Sequence, residues 1–355
     1  MKAIPRTMRR SRGISGLLAV TLTLTLAACT DSGSQTSTPN NTPPSAESSD
    51  GTFPVTIEHA FGETTIPARP ERVATVAWSN HEVPLALGVT PVGFEKATWG
   101  DDDGDGVLPW VAEQLAVLGA PEPVLFDATD SLPFESIANT QPDVILAAYS
   151  GLTQEDYDQL SQIAPVVAYP EQPWGTTLED QILMNATALG LESEGEQLVA
   201  KLEGEVAAAM DAHPQLRETT PVFAFFDESD LSQIGVYTPL DPRMGFLLDA
   251  GMQQASILEE YAGSDSFYEQ ISAENPEAFD DVDLIITYGS EDAAVNAALL
   301  EKLQADPLLS RIPAIAQGRV VFLGENPIAA AATPSPLSIP WGIDEYFATL
   351  AGGLG

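Results

Sequence analysis

The sequence predicts an α/β protein of two lobes joined by a single long helix, with a cleft between the lobes. Three observations carry this expectation. Short β-branched runs alternate with helical stretches, the alternation occurs twice along the chain, and a proline-free helical segment lies between the two occurrences. With 355 residues, 44% hydrophobic and 19% charged, the chain has the length and composition for two globular units with sizeable cores.

The chain begins with Lys2, Arg6, Arg9, Arg10 and Arg12, followed by an uncharged, largely apolar run over residues 14–28. That run is shorter than the ~20 residues a permanent membrane helix needs. Residues 1–28 therefore read as an export signal, set aside from the fold. Residues 30–52 are almost entirely Ser, Thr, Pro, Asn, Gly and acidic. Such a stretch has little to bury against its ordering entropy, so 29–52 reads as a flexible tether.

The first lobe, 53–190, opens with a β-rich run at 72–78. Ser79 and Asn80 offer N-cap oxygens to a short helix that stops at Gly88, and 89–94 reads as a second strand. Glu135 opens a helical stretch, 143–147 is a buried strand, and a helical stretch at 154–162 leads to a strand at 163–169. The connector comes next. Leu178, Ile182, Asn185 and Leu189 lead to a break at Gly190, and Leu198, Leu202, Val206 and Met210 mark a second helix within 191–213. At about 1.5 Å per residue this helix can cross a lobe boundary. The same apolar face also suits packing on one lobe alone.

The second lobe, 214–355, repeats the pattern. Residues 221–226 form a strand, a helix starts at Asp241-Pro242-Arg243 and ends near Gly251, Glu274 precedes a helical stretch, and 283–287 is the matching buried strand. Segments 134–151 and 273–290 align with one residue of slack, so two Rossmann-like lobes, each with a parallel sheet, is the economical reading.

Fifty-two acidic residues against 14 basic ones give a net charge of -38, which repels phosphate backbones and excludes a nucleic-acid partner. His59, His81 and His213 are scattered and Cys29 is the one cysteine, which excludes a Cys/His zinc site and a disulfide framework. Asp101, Asp103 and Asp105 precede Gly106 as in a calcium loop, but the twelfth position is Ala112, where such a loop carries glutamate. No metal site is expected.

Leu26-Ala27-Ala28-Cys29 resembles the lipobox of bacterial lipoproteins. That resemblance implies cleavage before Cys29, a lipid on its thiol, and a domain held at the outer face of the cytoplasmic membrane. An incidental thiol beside an ordinary cleavage site fits the same residues. The body of the chain resembles substrate-binding lipoproteins of ABC importers, in the ferric-siderophore and cobalamin binding family. The resemblance is carried in order by Arg72-Val73 with 84–93, by Leu132-Pro133-Phe134-Glu135 with 141–146, by Ile163-Ala164-Pro165-Val166-Val167, and by Asp306-Pro307-Leu308 with 312–320. It covers about 53–350.

What the resemblance implies is a monomeric, non-enzymatic carrier, without catalytic residues, that captures a ferric siderophore and delivers it to the importer's permease subunits. Glu135 and Glu274 match the two carboxylates that dock into arginine pockets of those subunits; both also suit helix N-termini, where the dipole favours acids. The cleft should be lined by residues just after strand ends. These are Trp78, Ser79, His81, Lys96, Trp99, Trp110 and Tyr149 from the first lobe, and Phe226, Tyr237, Arg243 and Tyr288 from the second. Aromatic faces would supply area and Arg243 charge, although Arg243 equally suits a surface pair with an acid, and each tryptophan equally suits the core. Cobalamin or haem would suit the same fold. A surface sensor would suit the same anchor. A hydrolase lacks support, since the chain has no G-x-S-x-G elbow.

Overall fold

The computed structural model describes residues 51–355. The expected export signal, the expected lipidation at Cys29 and almost all of the expected tether lie outside the described residues. The described chain opens with a hairpin of β1 (Val55–His59) and β2 (Gly62–Ile66). Its alternating burial puts Ile57 and Ile66 inward, as period-two side chains require.

The first sheet follows: β3 (Val73–Thr75), α1 (Glu82–Ala86), β4 (Gly93–Glu95), α2 (Pro109–Leu118), β5 (Val124–Phe126), α3 (Phe134–Asn139), β6 (Val144–Leu146), α4 (Gln154–Leu160) and β7 (Val166–Val167). Its strands are all parallel, in the order β5-β4-β3-β6-β7. Both faces are covered, which is why the strands read as unbroken apolar runs. Val73, Val144 and Leu146 pack on one side, while Ala74 and Ile145 pack on the other.

The expected strand at 72–78 ends early. Ala77 and Ser79 take positive φ values of 63 and 57, which take the chain out of the extended conformation. The expected cap also differs. His81 occupies the N-cap of α1 without a side-chain bond, whereas Asn80 Nδ2 donates to Val76 O at 2.9 Å and Tyr149 O at 2.7 Å, and its Oδ1 accepts from Tyr149 N–H. Asn80 thus ties the end of β3 to the end of β6.

The connector comprises α5 (Leu178–Ala188), capped by Thr177 Oγ1 accepting from Asp180 N–H at 3.0 Å, and α6 (Glu192–Ala212). Gly190 between them has φ +67, a conformation only glycine adopts without strain. The 21 residues of α6 span about 32 Å. The predicted apolar row Leu198, Leu202, Val206 and Met210 is buried, joins the core of the second sheet, and packs against α5 on one side.

The second lobe contains β8 (Pro221–Asp227), β9 (Asp230–Tyr237), α7 (Pro242–Asp249), α8 (Ser256–Glu259), β10 (Tyr268–Ser272), β11 (Leu284–Thr287), α9 (Ala293–Ala305), α10 (Pro313–Ala316), β12 (Val320–Phe322), α11 (Pro327–Ala331) and α12 (Ser338–Gly352). Its order, β10-β9-β8-β11-β12, is positionally equivalent to the first sheet. Contrary to the expectation from sequence, this second sheet is not fully parallel. β8 and β9 form a hairpin turning at Asp227–Asp230, so β9 is antiparallel, and β10 pairs antiparallel to it. In the first lobe α1 separates the corresponding strands and permits a parallel crossover; a short turn permits only an antiparallel neighbour. Likewise the helical stretch expected after Glu274 is a four-residue 3-10 turn, Pro276–Phe279.

The repeat is most exact at two aspartates. Asp143 accepts backbone N–H bonds from Glu71 and Arg72, and Asp283 accepts one from Thr220. Each carboxylate heads a central buried strand and satisfies the entry of its neighbour. The lobes also meet away from α6, where Ala330, Ala331 and Leu337 pack against Leu85, Phe94, Leu108 and Trp110. Inside this contact lies Glu82. Its Oε1 accepts from Trp110 Nε1–H at 2.9 Å, and its Oε2 accepts from Leu337 N–H at 3.1 Å and from the Ser335 hydroxyl.

Candidate functional site

A cavity of about 530 Å³ opens where the C-terminal ends of the parallel strands of both sheets meet. Trp78 enters it after β3, Trp99 after β4 and Tyr149 after β6; from the second lobe Arg243 enters at the first turn of α7 and Tyr288 after β11. The aromatic rings form a connected wall. Trp78 and Trp99 have centroids 6.4 Å apart, and Trp99 reaches across the lobes to meet Tyr288 edge-on at 5.0 Å.

Backbone strain gathers at this wall. Four described non-glycine residues have positive φ, and three of them, Ala77, Ser79 and Trp174, flank or line the cavity. Each costs roughly 1–2 kcal/mol and persists because its surroundings fix it. Ala77 N–H donates to Glu95 Oε2 at 2.9 Å, Ser79 Oγ accepts from Gln181 Nε2 at 3.0 Å, and Trp174 N–H donates to Ser150 O at 2.9 Å. Trp78 and Trp174 are thereby aimed by rigid backbone.

The polar centre is Arg243. Asp241, 2% exposed, caps α7 and grips the guanidinium with both oxygens: Nε donates to Oδ1 at 2.8 Å and Nη2 to Oδ2 at 2.6 Å. Nη1 donates to the Tyr288 hydroxyl at 3.1 Å, and the guanidinium lies 3.8 Å from the Tyr237 ring centroid. Burial opposes the charge on Arg243, but the Asp241 hydrogen bond and the neighbouring phenols and carboxylate outweigh it, so the group is held above its ordinary range. Burial pushes the phenols of Tyr149, Tyr237 and Tyr288 upward, so all three remain neutral donors at physiological pH.

Of the residues that the sequence nominated, Trp78, Trp99, Tyr149, Arg243 and Tyr288 line this one cavity, with Tyr237 immediately behind Arg243. Ser79, His81 and Lys96 line a neighbouring hollow of about 40 Å³ on the first lobe. Phe226 packs half-buried against the second-lobe core, and Trp110 is buried against Glu82 and Trp341. Glu135 and Glu274 are exposed, one in the first turn of α3 and the other in the turn after β10. The Asp101, Asp103 and Asp105 carboxylates do cluster, and they accept backbone N–H bonds of their own loop, including those of Gly104, Gly106 and Val107.

Sequence reasoning missed Trp174, Asp241, Phe267, Gly289, Glu325 and Thr333 in the lining. Asp241 had a signal, since it stands two residues before Arg243 at a helix start. Trp174 follows β7 but sits in irregular chain, where no periodicity marks it. Its indole meets Tyr149 edge-on at 5.3 Å and covers Gly151, at which an added Cβ would lie 2.2 Å from Nε1. Gly151→Ala is therefore expected to displace the indole and lower ligand affinity about tenfold with little change in melting temperature, as compared by titration and thermal melting. An unchanged affinity would remove Trp174 from the site.

Residues 73–327 match the family model described as "Periplasmic binding protein". A probable siderophore-binding lipoprotein, YfiY of Bacillus subtilis (strain 168), is 27% identical over 271 residues, covering 74% of this chain and 78% of the relative. The Fe(3+)-citrate-binding protein YfmC of the same organism is 25% identical over 307 residues, covering 86% and 88%. Among solved structures, Streptococcus pneumoniae TIGR4 PiaA in complex with ferrichrome superposes with a TM-score of 0.79 at 44% identity, covering 84% of this chain and 98% of that one. The two-lobed α/β fold, the cavity at the strand ends and a family match over most of the chain agree: this chain belongs to the periplasmic binding protein family.

Proposed function

We propose that this protein captures a ferric siderophore outside the cytoplasmic membrane and delivers it to the permease of an ABC importer. A lipid on Cys29 and the tether of residues 29–52 hold it, as a monomer, at the membrane. The observation that carries the reading is the aromatic cavity centred on Arg243 and Tyr288, in a chain 44% identical to a ferrichrome-bound protein over 84% of its length. Trp78, Trp99 and Trp174 supply flat apolar area for the arms of a bulky chelate, and Arg243 and the phenols supply donors for its oxygens. Capture and release require no covalent chemistry.

Three tryptophans at the cavity make fluorescence the direct test. Ferrichrome is expected to quench saturably at micromolar or lower concentration, and its iron-free form to quench much less. Quenching by cobalamin or haem alone would keep the carrier role and change its cargo.

Docking is assigned to Glu135 and Glu274, which are exposed on separate lobes and which the sequence resemblance nominates for that role. Paired carboxylate–guanidinium contacts at two points would orient a monomer over a two-fold permease. The double variant Glu135→Ala/Glu274→Ala is expected to lose about tenfold or more in cellular uptake of radioactive ferrichrome iron while keeping its ferrichrome affinity. Undiminished uptake would exclude these two carboxylates.

A further inference from the structure

We propose that this cleft admits ferric complexes that are uncharged or cationic and rejects polyanionic ones, with Asp241 and Glu325 setting the preference. The inference rests on the reading of the cavity as an iron-complex site, and it names the electrical class of the cargo.

Among the described lining residues the charged groups are Asp241, Arg243 and Glu325. Arg243 supplies the lining's positive charge, and that charge is already spent. Asp241 grips it through two short hydrogen bonds, with side-chain exposures of 17% and 2%, so the pair enters the cavity as a closed, electrically neutral unit. Opening it to serve a ligand anion would leave the Asp241 carboxylate buried and unpaired, which is strongly unfavourable. Glu325, exposed at the rim after β12, then leaves the lining with a net negative charge. The chain as a whole carries -38, so the approach adds to the repulsion.

A ferric complex built on three singly charged bidentate arms is neutral, because the arms balance Fe3+. One built on three doubly charged arms carries three negative charges. The first presents carbonyl-type oxygens that accept hydrogen bonds without demanding a free cation. Arg243 retains N–H bonds on Nη1 and Nη2 beyond those to Tyr288 and Asp241, and Tyr149 and Tyr288 are neutral hydroxyls in the lining. A pendant ammonium on the ligand would find Glu325.

The test is equilibrium titration of the full chain at ~0.15 M salt with three probes: ferrichrome, uncharged; ferrioxamine B, with one positive charge; and ferric enterobactin, a trianion. The first two are expected to bind, and the trianion about 100-fold or more weakly than ferrichrome. Glu325→Lys is expected to narrow that ratio about tenfold, and Asp241→Asn, which frees the Arg243 charge, to narrow it further. Should Asp241→Asn melt at room temperature, Glu325→Lys at the exposed rim carries the test alone. Ferric enterobactin binding within about threefold of ferrichrome, or a ratio unmoved by Glu325→Lys, would overturn the charge selection and leave the carrier role standing. Binding of none of the three would overturn both.

Discussion

Replacing Arg243 by alanine is expected to lower the affinity for ferrichrome about 100-fold. The variant removes the charged donor at the centre of the cavity, and hydrogen bonds to charged groups contribute about 1.5–3 kcal/mol each. It also releases the Tyr288 hydroxyl and the Tyr237 face, which Arg243 holds in place at 3.1 and 3.8 Å. Arg243→Lys restores little, because a single ammonium cannot grip both Asp241 oxygens and reach Tyr288 together. Titration beside thermal melting separates the two consequences, since Asp241 is left buried without its partner and the fold also weakens. An affinity within threefold of the parent would place the binding centre elsewhere.

The largest effect on stability is expected at Glu82. Glu82→Ala strands three buried donors, Trp110 Nε1–H, Leu337 N–H and the Ser335 hydroxyl, at about 1–3 kcal/mol each. A loss of about 3 kcal/mol or more in denaturant unfolding is the expected result, since these bonds join the first lobe to the start of α12.

Glu82 and its neighbour His81 also make opposite contributions to the pH dependence. Burial pushes Glu82 up to about 7, against the pull of its hydrogen bonds, and pushes His81, stacked 4.4 Å from Phe94, down to about 3. A raised carboxyl keeps its proton in the fold after the unfolded chain has lost it, so its contribution to stability falls as pH rises from about 4.5 to about 7. A depressed imidazole behaves inversely, and its contribution falls as pH drops from about 6.5 toward about 3. Between about 4.5 and 6.5 the two slopes cancel, each being about tenfold in the folding equilibrium per pH unit. Relative to the parent, His81→Phe should gain stability as pH falls through that window, and Glu82→Gln should lose it. Parallel unfolding curves for both variants and the parent would refute the assignment.

How far the residues announce this molecule depends on how local each signal is. The strands headed by Asp143 and Asp283 were legible because buried parallel strands are unbroken apolar runs with an acid at the entrance. The helix α6 was legible from a row of apolar residues four apart. The β8–β9 hairpin was not, because β9 carries Asp230, Ser232 and Gln233 on an exposed stretch that reads as loop. Trp110 shows the limit for side chains. Expected just after a strand end, it stands instead in the first turn of α2 and faces a buried carboxylate, and its partner Glu82 is 28 positions away. The Ser335–Glu82 contact, across 253 positions, leaves no trace in either neighbourhood.

The most direct measurement is the anomalous scattering of iron in a crystal of the protein grown with ferrichrome. One iron peak is expected inside the cavity of about 530 Å³, with ligand oxygens within hydrogen-bond distance of Arg243 or Tyr288 and ligand arms against Trp78, Trp99 or Trp174. An iron peak at the Asp101, Asp103 and Asp105 loop, or a cavity still empty at saturating ferrichrome, would contradict it.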